Sequence, residues 1–166
     1  VMLADFSKTK REGKSLRRLY LKALAMLTGL LWPALLGLAV LAGPLISIIY
    51  GPKWGGAALP LTLLCISAVP LVAITMTWEV FVASGATARQ ARLEFIRAGL
   101  GLAFFSVGCF FSVAAAAGGR IAEATFSYFL YRPHLERMTE TKFSDFAPLY
   151  LRSAAVTAAA VGPALA

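Results

Sequence analysis

Few residues in this chain have side chains suited to chemistry, and most of those lie at the edges of long apolar runs. Glu79 follows an uncharged stretch from Trp54 to Trp78 and stands six positions before Gly85, about 9 Å inside the end of a helix that stops there. A carboxylate set that deep in apolar sequence has two readings. It takes up a proton or cation from a membrane interior, or it pairs near an interface with Arg89 or Arg92. Arg120 and Glu123 are spaced i, i+3 and can pair on one helix face, as interfacial anchors or as part of a polar site. Arg92 and Arg97 stand where the next apolar run begins. His134 has no second His or Cys nearby, and with Glu136 alone it makes no metal site. Cys65 and Cys109 fall inside apolar runs without a pairing partner and read as small buried hydrophobes. No Gly-rich phosphate loop and no nucleophile arrangement is present in the sequence. No catalytic residue, metal or cofactor is therefore expected, and the chain is not expected to be an enzyme.

The elements that must position these residues are apolar helices. Charged residues make up 14% of the 166 residues and hydrophobic ones 59%, whereas a soluble domain carries roughly a quarter charged. Sixteen Lys and Arg against eight Asp and Glu give a net charge of +8. These cations sit between apolar runs and are not interleaved with stacking aromatics on one face, which argues against nucleic acid as a partner. The expected partner is a lipid bilayer. The expected fold is all-α, a polytopic transmembrane helix bundle of about five spans.

A basic amphipathic lead occupies residues 1–22, and the spans are expected at about 23–42, 57–84, 95–117, 120–138 and 148–166. Ala23 to Pro52 carries no charge over thirty residues, more than the roughly 20 needed to cross a hydrocarbon core about 30 Å thick. Gly43-Pro44 is expected to end the first helix, leaving a short interfacial turn before the corner at Gly51 to Gly56, with Lys53 and Trp54 as interface anchors. Pro33 and Pro70 lie in mid-span and are candidate hinges. Gly99, Gly101 and Gly108 offer small faces for close helix packing. Gly118-Gly119 is expected to be the turn into the fourth span, whose apolar body from Ala124 to Tyr131 is short before Arg132-Pro133. Basic residues concentrate on alternate sides, with Arg89, Arg92 and Arg97 on the side of the lead and only Lys53 and Arg120 on the other, which puts the amino end in the cytoplasm, the Gly51 and Gly118 corners outside, and Arg120–Glu123 at the outer interface. Because the chain opens on a charged stretch and ends inside an apolar run, it reads as a fragment of a larger protein.

Three stretches carry a resemblance: "LAGPLISIIYGPKWGGAALPLTLL", with its Tyr-Gly-x-x-Trp corner at Tyr50 to Trp54; "VASGATARQARLEFIRAGLG", with Ala-x-Gly-x-x-x-Arg at Ala83 to Arg89; and the Gly-Gly before "RIAEA". Together with the basic lead, they resemble the carboxy-terminal half of polysaccharide flippases of the multidrug/oligosaccharidyl-lipid/polysaccharide exporter superfamily. The resemblance implies a carrier of 12 to 14 helices in two halves. It implies movement of lipid-linked saccharide precursors, on an undecaprenyl-type lipid diphosphate, to the outer leaflet of the cell inner membrane. It also implies a basic cavity, for which Arg92, Arg97, Arg120 and Glu123 are candidates, with Glu79 as the candidate for ion coupling. Polymerases and glycosyltransferases of the same pathway would be further partners. The alternatives are a multidrug exporter of the same superfamily, a membrane-bound polysaccharide ligase or polymerase, and a non-transporting anchor. Both expected outer corners are too small for the large catalytic loop of a ligase.

Overall fold

The computed structural model describes residues 16–164. The expected basic lead lies outside these residues up to Ser15, as do the last two residues of the expected fifth span. Among the described residues the chain is all-helical, with no strand. In chain order the helices are α1 (Arg17–Tyr50), α2 (Ala58–Val72), α3 (Thr77–Ala83), α4 (Thr87–Cys109), α5 (Val113–Thr139) and α6 (Phe143–Val161). A 3-10 turn, Pro52–Ala57, joins α1 to α2.

The expected stop at Gly43-Pro44 does not occur: α1 runs unbroken for 34 residues through both Pro33 and Pro44 to Tyr50. A proline inside a helix removes one N–H donor, and membrane helices tolerate this where a neighbour serves the local carbonyls. Here Thr62 of α2 donates its hydroxyl to the Ala39 carbonyl, at 3.0 Å. The corner instead lies at Gly51, whose φ of 86° lies in a region a side chain disfavours.

The second apolar run, expected as one span, is a broken helix. Three residues beyond Pro70 the bonding tightens to i, i−3: Ala73 N–H donates to Pro70, Ile74 to Leu71 and Thr75 to Val72. This change frees the Val69 carbonyl, and the Trp32 indole N–H of α1 takes it at 3.2 Å. The hydroxyl of Thr75 donates to the Leu71 carbonyl and that of Thr77 to the Ile74 carbonyl. The freed Val69 carbonyl thus finds a side-chain donor, as a break inside apolar surroundings requires.

The turn into the fourth span is not at Gly118-Gly119 but at Phe110 to Ser112. Ser112 adopts an extended conformation and its Oγ accepts the Ala115 N–H at 2.9 Å, capping a 27-residue α5 that runs through both glycines. The short apolar body is thereby lengthened by Val113 to Gly119. Close approach of α4 and α5 explains Gly108, since a Cβ there would lie 2.5 Å from the Ala116 Cα. Gly99, by contrast, faces open space.

α2 packs between α1 and α5, α4 packs on the other side of α5, and α6 packs on α1. All of them meet at one end. Tyr20 and Leu24 of α1, Val80 and Phe81 of α3, Leu93 of α4, Tyr131 and Leu135 of α5 and Phe146 of α6 form one buried cluster. Two stretches are long and apolar enough to cross a membrane: Arg17–Tyr50, and Pro52–Ala83 with its break. Their most apolar windows are only 17% and 28% buried, unlike the mostly buried core helix of a soluble domain.

Candidate binding site

α4 and α5 are joined by a three-residue turn and lie antiparallel, so positions equally far from the turn face each other. Arg97 is twelve residues before the last residue of α4, and Glu123 ten residues after the first of α5, or about 15–18 Å along each helix. That depth is near the middle of both, and there the charges meet. Glu123 has a side chain 2% exposed; its Oε1 lies 3.2 Å from Arg97 Nη1 and its Oε2 lies 2.5 Å from Arg120 Nη1. Arg97 also pairs with Glu94 one turn earlier, and the Tyr131 hydroxyl donates to the other Glu94 oxygen at 2.7 Å. Space for the Glu123 carboxylate comes from Gly101. A Cβ at that position would sit 3.2 Å from Glu123 Cγ and 3.3 Å from Cδ.

The cluster opens sideways onto the helix break. A cavity of about 250 Å³ lies there, lined by Thr75 and Thr77 of the broken stretch and by Gln90, Glu94, Arg97 and Tyr131. Gln90 is buried, and its Oε1 has no hydrogen-bond partner. The arrangement therefore offers cationic donors and polar walls beside a discontinuous helix. It holds no nucleophile–base pair, and among the described residues no group of His, Cys, Asp or Glu could hold a metal.

The structure sorts the sequence candidates. Arg97, Arg120 and Glu123 come together in one cluster. This corrects their placement on opposite sides, with Arg97 at the cytoplasmic entrance and Arg120–Glu123 at the outer interface. The i, i+3 pairing of Arg120 with Glu123 is present, but Glu123 is a buried group and no surface anchor. Arg92 is exposed and stands apart from the cluster. Glu79 is half-buried, and its Oε2 is buried with no hydrogen-bond partner. The expected pairing of Glu79 with Arg89 or Arg92 is not among the ion pairs of the described residues. The deepest carboxylate is thus Glu123 and not Glu79. Pro70 immediately precedes the break, whereas α1 is continuous through Pro33. Cys65 is buried as expected, and Cys109 is exposed at the turn. His134 is half-buried, with its ring near Phe81 and Nδ1 3.2 Å from the Leu130 carbonyl.

Sequence reasoning missed Glu94 and Tyr131, and it missed the seat of Arg132. The Arg132 guanidinium lies 4.6 Å from the Phe146 ring centre and 5.2 Å from that of Tyr128, with Nε donating to Glu136 at 2.8 Å. The i, i+4 spacing of Arg132 and Glu136 was a legible signal for that pair.

No curated protein and no solved structure matches the chain. Residues 1–59 match the model of a family described as polysaccharide biosynthesis protein, a match that covers α1 and the Gly51 corner and supports a place for the chain in polysaccharide biosynthesis.

Proposed function

We propose that the chain contributes five crossings to an inner-membrane carrier that moves a lipid-linked saccharide precursor from the cytoplasmic to the outer leaflet. The observation that carries this reading is the Arg97–Glu123–Arg120 cluster at mid-length of the α4–α5 hairpin. Ionisable groups are costly in hydrocarbon and are kept there where they line a path for a polar or charged cargo. Its position beside a discontinuous helix follows the way carriers build substrate sites at the membrane midplane. The family match over residues 1–59 supports a role in polysaccharide biosynthesis, from which a saccharide cargo is inferred. In this reading Arg97 and Arg120 hold the anionic headgroup, and no bond is made or broken. Glu79, with an unpartnered buried oxygen, is the residue proposed to couple transport to an ion.

The orientation fits as well. Arg17, Arg18, Lys22, Arg89, Arg92, Arg132, Arg137 and Lys142 all belong to the helix ends around the buried cluster, which would be cytoplasmic, while Lys53 stands at the opposite corner.

The test uses the whole gene in a strain deleted for its own flippase, with surface polysaccharide as the readout. Wild type should restore it, Arg97→Ala should not despite normal membrane levels, and Glu79→Gln should fail in the same way. A panel of strains never restored, with drug resistance rising, would replace this reading with an exporter of the same superfamily.

A further inference from the structure

We propose that Glu123 is the internal counter-anion of the site, so that an anionic headgroup is admitted only as Glu123 takes up a proton. The inference rests on the carrier reading and concerns how the same site is regulated. Arg97, Arg120, Glu94 and Glu123 form a neutral cluster of two cations and two anions. Adding a phosphate-type anion, which carries about two negative charges, leaves excess negative charge in a buried place unless both carboxylates are neutralised or withdrawn.

The two carboxylates differ in which of these they can do. The Glu94 side chain is 48% exposed and can swing toward water. The Glu123 side chain is 2% exposed and lies over Gly101 of the facing helix, so it has no open side through which to swing toward water as Glu94 can. Neutralisation is the route left to it. The arginines, 29% and 36% exposed, keep an open side toward an incoming anion while their inner side holds Glu123. Charged and titratable groups facing Glu123 are Arg97 and Glu94 from α4 and, on its own helix, Arg120, with Tyr131 two turns on. α2 carries no charged residue and only Cys65 as a titratable group, and α3 carries Glu79. The step is a simple exchange. One proton from the aqueous side binds the Glu123 carboxylate, its pull on both guanidiniums is lost, and the anion takes its place between them.

The experiment titrates the protein from the whole gene, in detergent micelles, with farnesyl diphosphate, and reads proton uptake from calorimetry in two buffers of different ionisation enthalpy. Wild type should take up one more proton per probe bound than Glu123→Gln, a difference in which the probe's own protons cancel. The ratio of wild-type to variant affinity should fall as pH rises, the probe's own ionisation being common to both. Should the variant not fold, infrared difference spectra of wild type serve in its place: a protonated-carboxyl band should appear on adding the probe. Binding with equal proton counts, or wild-type binding with no such band, overturns this inference and leaves the carrier reading standing. Absence of probe binding in either form overturns the inference and the anion-site part of the carrier reading together.

Discussion

Replacing Gly108 with alanine tests the α4–α5 contact on which the site depends. The added Cβ would lie 2.5 Å from the Ala116 Cα, 2.6 Å from the Ala116 N and 2.7 Å from the Ala115 carbonyl oxygen. Carbon atoms rest about 3.5–4.0 Å apart, so the helices must separate by roughly 1 Å. The obstruction is backbone and cannot turn aside as a side chain would. Overpacking of this kind costs about 1–3 kcal/mol, and alanine returns up to about 1 kcal/mol of helix propensity, leaving a net loss near 1–2 kcal/mol. Thermal unfolding of the purified protein in detergent should register this at about 2–4 °C per kcal/mol for a domain of this size. Gly99→Ala and Gly118→Ala are the controls, because a Cβ at either meets nothing within 4 Å. Both should melt at or above wild type. Gly108→Ala melting with them would refute the close approach of the two helices, and with it the geometry that buries Glu123.

Two further outcomes follow from the packed end of the bundle. The Lys142 N–H, donating to Asp145 at 2.8 Å, and the Arg17 guanidinium at 2.6 Å hold the Asp145 carboxyl below the usual carboxylate range. A depressed folded-state value contributes stability above the unfolded value of about 3.9 and loses it as pH falls through the folded one. Melting temperatures of Asp145→Asn should therefore change less than those of wild type between about pH 6 and pH 3, and parallel curves would refute the pairing. Arg132→Lys keeps the charge but loses the planar group between the Phe146 and Tyr128 rings, so it should cost roughly 1–2 kcal/mol in thermal unfolding; a lysine variant melting with wild type would show that charge alone holds α5 to α6.

The apolar lengths made the helical class legible, because thirty uncharged residues leave a chain little other structure that satisfies its backbone. Gly51 was legible as a corner for the same reason it is one. The proline signals misled in two ways. Pro44 reads as a stop when only its own missing N–H is considered, yet Thr62 at the neighbouring carbonyl lets α1 continue, and no local pattern reveals that hydroxyl. Pro70 reads as a bend, and the helix does break beyond it. The break depends on Trp32, 37 positions before Val69 in the sequence, to serve the Val69 carbonyl. In both cases the deciding donor belongs to another helix.

The site itself was hidden by one misplaced turn. With the turn at Gly118-Gly119, Glu123 stands four residues from the loop, about 6 Å deep, and reads as an anchor at the interface. With the turn capped by Ser112, the same residue stands eleven positions in, about 16 Å deep, and meets Arg97 from the facing helix. The signal available was Ser112 itself, a capping residue with Val113 and a run of four alanines after it, outweighed by the strong turn signal of the paired glycines. Of the two, Gly119 serves packing, since a Cβ there would lie 2.8 Å from the Phe104 carbonyl oxygen, whereas Gly118 faces open space. Counting basic residues by loop compounded the error, since it assigned Arg97 and Arg120 to opposite faces of a membrane. Moving the turn removes both from the loops, sharpens the charge difference between the two ends, and turns two apparent topology signals into the two cations of a buried site.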